Sequence, residues 1–172
     1  TGVGTWSVIS GTGVLSNSLA ANSTVTNLSL GTNILEWTIT SAGTCSSTTS
    51  TMTIQVDPAT SIANAGSNQT VCISSPNATL AANTPTTGTG TWSVLTGGGV
   101  VTSSTSANTT VTGLTLGTNV LQWSITSAGT CSSTTSTMTI QVDPATSISL
   151  AGSSQTICIT TNSTTLSANT PT

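Results

Sequence analysis

The chain has 172 residues with no Lys, Arg or His, and its only acidic side chains are Glu36, Asp57 and Asp143. A globular domain is about 25% charged, whereas this chain is 2% charged and carries a hydroxyl at 72 of its 172 positions, 43 Thr and 29 Ser. Without a cation it has nothing to neutralise nucleic-acid phosphates or grip an anionic bilayer, and no apolar run nears the ~18 residues of a membrane span; neither nucleic acid nor membrane insertion is expected.

A Ser/Thr-rich composition often marks an unfolded, glycosylated stalk. Here 34% apolar residues, four Trp and clear alternation argue for a folded chain instead. The sequence also repeats. Trp6 recurs at Trp92, Trp37 at Trp123, Cys45 at Cys131, Asp57 at Asp143 and Cys72 at Cys158, each 86 positions on. The two 86-residue copies align without a gap and differ at 25 positions, and Thr40 to Val56 returns unchanged at Thr126 to Val142. The closing Ala168-Asn169-Thr170-Pro171-Thr172 matches Ala82 to Thr86, so the end of the chain leads in phase into its start. That phasing reads as a segment of a polymer or of a longer chain.

Pro ends ladder pairing, so Asp57-Pro58-Ala59-Thr60-Ser61 and its copy Asp143 to Ser147 read as linkers. The expected organisation is residues 1–60 as the rear of one repeat domain, 61–147 as a complete domain, and 148–172 as the front of the next. Along the complete unit the apolar period is two. Gln69 to Ile73 opens it, followed by Ala78 to Ala82, Trp92-Ser93-Val94, Thr109 to Thr112, Leu121-Gln122-Trp123-Ser124-Ile125 and Met138-Thr139-Ile140-Gln141-Val142. Turn signals separate them at Thr96-Gly97-Gly98-Gly99, Leu116-Gly117-Thr118-Asn119 and Ser127-Ala128-Gly129-Thr130. Six or seven short strands at such spacing predict an all-β sandwich. Thr suits it, being β-branched with a hydroxyl for the wet face. With no Phe or Tyr, the expected core is Trp92, Trp123, Leu121, Ile125, Ile140 and Val142.

Two Cys per unit, in a chain without His, point to disulfides in an oxidising compartment, hence a secreted or cell-surface location. If a domain starts near Ser61, Cys72 and Cys131 share it and form the favoured pair. Cys45 and Cys158 would then bond to cysteines outside these 172 residues. A competing pairing, Cys45 with Cys72, spans the first linker.

Several stretches resemble a known pattern. They are Ala65 to Cys72, Thr79-Leu80-Ala81-Ala82-Asn83, Gly88 to Val94, Thr110 to Leu114, Gly117 to Trp123 and Gly129-Thr130-Cys131. Together they are similar to the immunoglobulin-like/PKD-like repeats of giant cell-surface adhesins of Bacteroidota, the gliding-adhesin type. The resemblance covers the whole unit in both copies. It implies tandem Ig-like β-sandwiches with an 86-residue period, export to the cell surface, and service as a stalk or adhesin.

Enzyme chemistry finds no purchase. Acid–base work needs two titratable groups at one substrate, yet each unit has a single recurring carboxylate, Asp57 or Asp143, and Glu36 is replaced by Gln122 in the second copy. No His or Lys is present to activate a serine. One Asp is too few carboxylates for a strong calcium site. Gly97-Gly98-Gly99 precedes neither a helix nor a Lys, so it is a turn and not a phosphate cradle. No catalytic residue, metal or cofactor is expected. Asn-X-Ser/Thr sites at Asn22, Asn27, Asn68, Asn77, Asn108 and Asn162 are candidates for glycosylation.

The leading expectation is therefore a structural segment of an extracellular filament or adhesin stalk, whose partners are other copies of itself, head-to-tail or lateral. The second is a binding surface: Thr49-Ser50-Thr51-Met52-Thr53 and its copy Thr135 to Thr139 set Thr at alternate positions, an array that suits polysaccharide, including surface glycans, or ice. A third, a cross-β fibre, fits the low charge but not the frequent Gly and the linker Pro.

Overall fold

The computed structural model describes residues 2–171, and among them every regular element is a strand. The first copy contributes β1 (Gly2–Ser10), β2 (Val14–Leu15), β3 (Val25–Thr26), β4 (Gly31–Ser41) and β5 (Thr48–Val56). After the first linker come β6 (Gln69–Cys72), β7 (Ala78–Ala81), β8 (Thr89–Thr96), β9 (Val100–Val101), β10 (Asn108–Thr112), β11 (Gly117–Thr126) and β12 (Thr134–Asp143). At the 86-residue offset, β1, β2, β4 and β5 correspond to β8, β9, β11 and β12, and β3 to the end of β10.

The chain divides into two compact units. One runs through Ile62 and includes Pro85–Gly90 and Ile125–Thr134; the other comprises Ala63–Thr84, Thr91–Ser124 and the chain from Thr135 onward.

In the first unit, β4 is the centre of a three-stranded antiparallel sheet ordered β1-β4-β5. Trp6 on β1 is registered with Trp37 on β4, and their rings lie 5.1 Å apart at 47°, the tilted geometry aromatic pairs favour. A bulge between Val8 and Ser10 shifts the register, and the pairing resumes with Ser10 beside Ile34. β2 and β3 form a separate two-stranded ladder.

The second unit is built on a four-stranded sheet, β6-β12-β11-β8, and a three-stranded one, β7-β10-β9. The two sheets bury opposing apolar faces as a β-sandwich. One face gives Trp92, Leu121, Trp123, Met138, Ile140 and Val142, and the other Ala78, Leu80 and Val111, all 7% exposed or less. Ile125 on β11 is likewise fully buried, so all six expected core residues are inside. Full burial of a side chain of this size contributes roughly 1.5–3 kcal/mol, and the alternating burial of β11 and β12 is the period-two pattern that produces it.

One feature departs from expectation. Gly117-Thr118-Asn119 is the start of β11 and not a turn. The opening strand β6 joins β12 in parallel, with Gln69 beside Ile140 and Cys72 beside Asp143.

Candidate functional site

Two of the three carboxylates, Asp57 and Glu36, serve local structure. Asp57 Oδ2 accepts the backbone N–H of Thr130 at 2.9 Å and its hydroxyl at 3.1 Å, so the linker acid closes the Ser127–Thr130 turn. Glu36 Oε1 accepts the Thr38 hydroxyl at 3.4 Å. Asp143 ends β12, and its carbonyl accepts the N–H of Ile73 at 2.9 Å. Among the described residues no three His, Cys, Asp or Glu side chains converge as a metal site, and no helix is long and apolar enough to cross a membrane. All six glycosylation candidates are exposed; Asn68 Oδ1 also accepts the N–H of Thr139 at 2.8 Å.

The favoured Cys72–Cys131 bond is not formed: Cys45, Cys72, Cys131 and Cys158 are all free thiols. The parallel ladder is the reason. Cys72 is paired with Asp143, the last residue of β12, whereas Cys131 precedes Thr134, its first. A ten-residue strand spans about 30 Å, and a disulfide tolerates a Cα separation of only about 4.4–6.8 Å. The first and last strands of the unit are neighbours but run the same way, so their cysteines flank opposite ends. Nor is the competing Cys45–Cys72 bond present. The Cys131 thiol instead donates to the carbonyl of Asp57 at 3.7 Å. Cys72 and Cys158 are exposed, and hydrogen bonds from Ser74 and Thr160 hold their pKa values below the ordinary thiol value.

The outer face of the first sheet carries the Thr array. Thr5, Thr38 and Thr49 are registered across β1, β4 and β5, as are Ser7, Glu36 and Thr51 one step along. Thr49, Thr51 and Thr53 are exposed.

The inner face of the same sheet is open. Trp6, Ala21, Trp37, Ser50, Thr51 and Met52 line a groove of about 240 Å³, and β5 is an edge strand. Met52 is 46% exposed, while its copy Met138 is 1% exposed. Trp37 is half-buried; its copy Trp123 is fully enclosed.

A buried Asn escaped the sequence reading. Asn33 and Asn119, the only buried polar side chains among the described residues, are inaccessible to solvent. Asn119 Oδ1 accepts from Gly98 N–H at 2.9 Å and from Thr115 N–H and hydroxyl at 3.2 and 3.0 Å. Its Nδ2 donates to the carbonyls of Thr115 and Gly117 at 2.8 and 3.1 Å. Asn33 makes the matching bonds to Thr12, Ser29 and Gly31. The signal was the recurring Gly-Thr-Asn with apolar residues two and four positions after the Asn.

No protein-family model matches the chain, and no curated protein matches it. Solved structures with a similar backbone include the PKD domain of the KIAA 1837 protein, at 20% identity and TM-score 0.43, the match covering 52% of this chain and 92% of that domain. An endo-fucoidan hydrolase of glycoside hydrolase family 107 matches at 16% identity and TM-score 0.33, over 83% of this chain and 24% of the enzyme.

Proposed function

We propose that this chain is a non-catalytic structural segment of an extracellular filament or cell-surface adhesin stalk, of the Ig-like/PKD-like repeat type found in giant Bacteroidota adhesins. The observation that carries the reading is that one strand framework is built twice from an 86-residue unit whose copies differ at only 25 positions. Tandem repetition supplies length. The composition supports the same role: without Lys or Arg the chain offers no trypsin-type cleavage site, and uncharged surfaces approach one another without like-charge repulsion.

Electron microscopy of native material, with and without reducing agent, tests it. Long filaments with an axial period of one or two beaded domains are expected. Short, flexible, isolated particles at every concentration would overturn the filament and leave a spacer within a surface protein.

The Thr5–Thr38–Thr49 row supports a second reading, recognition of polysaccharide or ice by the outer Thr face. Glycan pull-down and thermal hysteresis distinguish it, and a null result in both removes it.

A further inference from the structure

The linker after β5 is seated by hydrogen bonds along its length. Thr134 Oγ1 donates to the Ser61 carbonyl at 2.7 Å, and Ser61 N–H donates to the Thr87 carbonyl at 3.1 Å. Ser61 Oγ accepts the N–H groups of Thr86 and Thr87 at 3.0 and 2.9 Å. At the head of the linker Asp57 holds Thr130, and a Cβ on Gly129 would strike the Asp57 carboxylate. These residues, and Cys131 with them, belong to one compact unit. The turn before β12 is therefore a socket for the acid that follows β5.

Two thiols converge on that acid. Asp57 and Asp143 are the same residue of the repeat, 86 positions apart. At Asp57, the carbonyl accepts the Cys131 thiol at 3.7 Å. At Asp143, the parallel ladder partner is Cys72, and the carbonyl accepts the N–H of the next residue, Ile73, at 2.9 Å. One carbonyl of the repeat thus meets the Cys131 sulfur in one copy and the residue after Cys72 in the other. Neighbouring strands lie about 4.8 Å apart, and a disulfide joins α-carbons about 4.4–6.8 Å apart, so both thiols stand within a disulfide's reach of this residue. Within a single sandwich the two remain at opposite ends of β12.

We propose that Cys72 of one repeat bonds to the Cys131 counterpart of the repeat that follows it, so that each disulfide staples two successive sandwiches across the seated linker. Cys131 itself takes the Cys72 counterpart of the repeat to which Asp57 belongs, and Cys45 and Cys158 are further instances of the same two positions. The staple rests on the tandem-repeat filament reading and deepens it: the covalent partner is the adjoining repeat. Along a stalk the staples overlap, since each begins in one sandwich and ends in the next, and a pulling load passes through sulfur as well as backbone.

Cys72 is the attacking thiol, exposed and with the Ser74 hydroxyl donating to its sulfur at 3.1 Å. With oxidised glutathione as oxidant, the Cys72 thiolate attacks one glutathione sulfur, the S–S bond breaks and one glutathione thiolate leaves. The thiolate of the Cys131 counterpart then attacks the Cys72 sulfur of the mixed disulfide and displaces the second glutathione. The two protein thiols give up their protons to the departing glutathione thiolates. Two protein thiols are oxidised and one oxidised glutathione becomes two reduced ones.

The test lengthens the full chain by one repeat, a further copy of residues 87–172, so that Cys72 and a following Cys131 counterpart share one polypeptide. One variant keeps only these two thiols, with Ser at every other Cys position; a control keeps only Cys72 and Cys131. Each is incubated dilute with oxidised glutathione, and free thiols, glutathione adducts and intact mass are followed with time. Circular dichroism checks that each is folded. The inter-repeat variant is expected to close, leaving no free thiol, no adduct and a mass lower by two hydrogens. The control is expected to stop at glutathione adducts. Asp143→Ala removes the carboxylate that seats in the following turn, as Asp57 does at Thr130, and should slow closure several-fold. Closure of the control alone would place the bond within one sandwich and overturn the staple. Closure of both at equal rates, or closure unaffected by Asp143→Ala, would show chance collision of the thiols and overturn the joint geometry. Adducts alone in both would overturn the disulfide and leave the filament standing on its microscopy. Closure combined with isolated particles in the microscope would overturn the filament and keep the staple.

Discussion

The side-chain oxygen of Asn119 accepts the backbone N–H of Gly98 at 2.9 Å, which ties the turn after β8 to the start of β11. The same carboxamide serves Thr115 and Gly117, so one side chain satisfies backbone groups of two turns. An unsatisfied buried group costs about 1–3 kcal/mol, and Asn119→Ala strands several. Its unfolding free energy in urea should fall by about 3 kcal/mol or more, whereas an exposed change such as Thr137→Ala should cost under about 0.5 kcal/mol.

Trp92 and Trp123 stack at 5.3 Å and 48° but differ at their indole nitrogens. Trp92 Nε1 donates to the Ala107 carbonyl at 3.3 Å, while Trp123 Nε1 is buried without a partner. Each Trp→Phe change loses apolar contact, but only Trp92→Phe also loses a hydrogen bond, to a carbonyl that keeps the Ala82 N–H; Trp123→Phe removes an unpaired donor. Equilibrium unfolding should therefore show Trp92→Phe as the more destabilising change, by about 1–2 kcal/mol.

Hydrogen bonding from Ser74 stabilises the Cys72 thiolate and lowers its pKa. The thiolate is the form that alkylates, and unfolding removes the Ser74 contact. Iodoacetamide labelling of Cys72 should thus rise at a lower pH in the native protein than in urea. Ser74→Ala should move the native profile upward, toward the unfolded one. Coincident native and unfolded profiles would contradict the Ser74 geometry.

Asp57 Oδ2 holds both the N–H and the hydroxyl of Thr130. Asp57→Ala should speed amide exchange at Thr130 several-fold, since a hydrogen bond to a charged group contributes about 1.5–3 kcal/mol before solvent weakens it. Asp57→Asn, which keeps an acceptor oxygen, should give a smaller increase.

Strand positions were legible because alternation maps directly onto the pleat. Trp92, Leu121, Trp123, Ile125, Ile140 and Val142 are two apart within their strands, so any register that buries one buries its neighbours. The repeat was equally plain, since it needs only comparison of the chain with itself. Asn119 was not, because a Gly-Thr-Asn run is also what a turn looks like, and its role depends on carbonyls brought together from separate segments.

The direction of β6 lay beyond the sequence. Gln69 to Cys72 is strand-like whichever way it runs, and hydrophobic alternation is blind to polarity. Antiparallel pairing with β12 would carry Cys72 toward Cys131; parallel pairing carries it to Asp143. The local pattern settles which residues face inward, because that is a property of neighbours in the chain. Which strand edges are filled, and which thiols can meet, depends on contacts between residues some 70 positions apart, and only the folded chain selects among them.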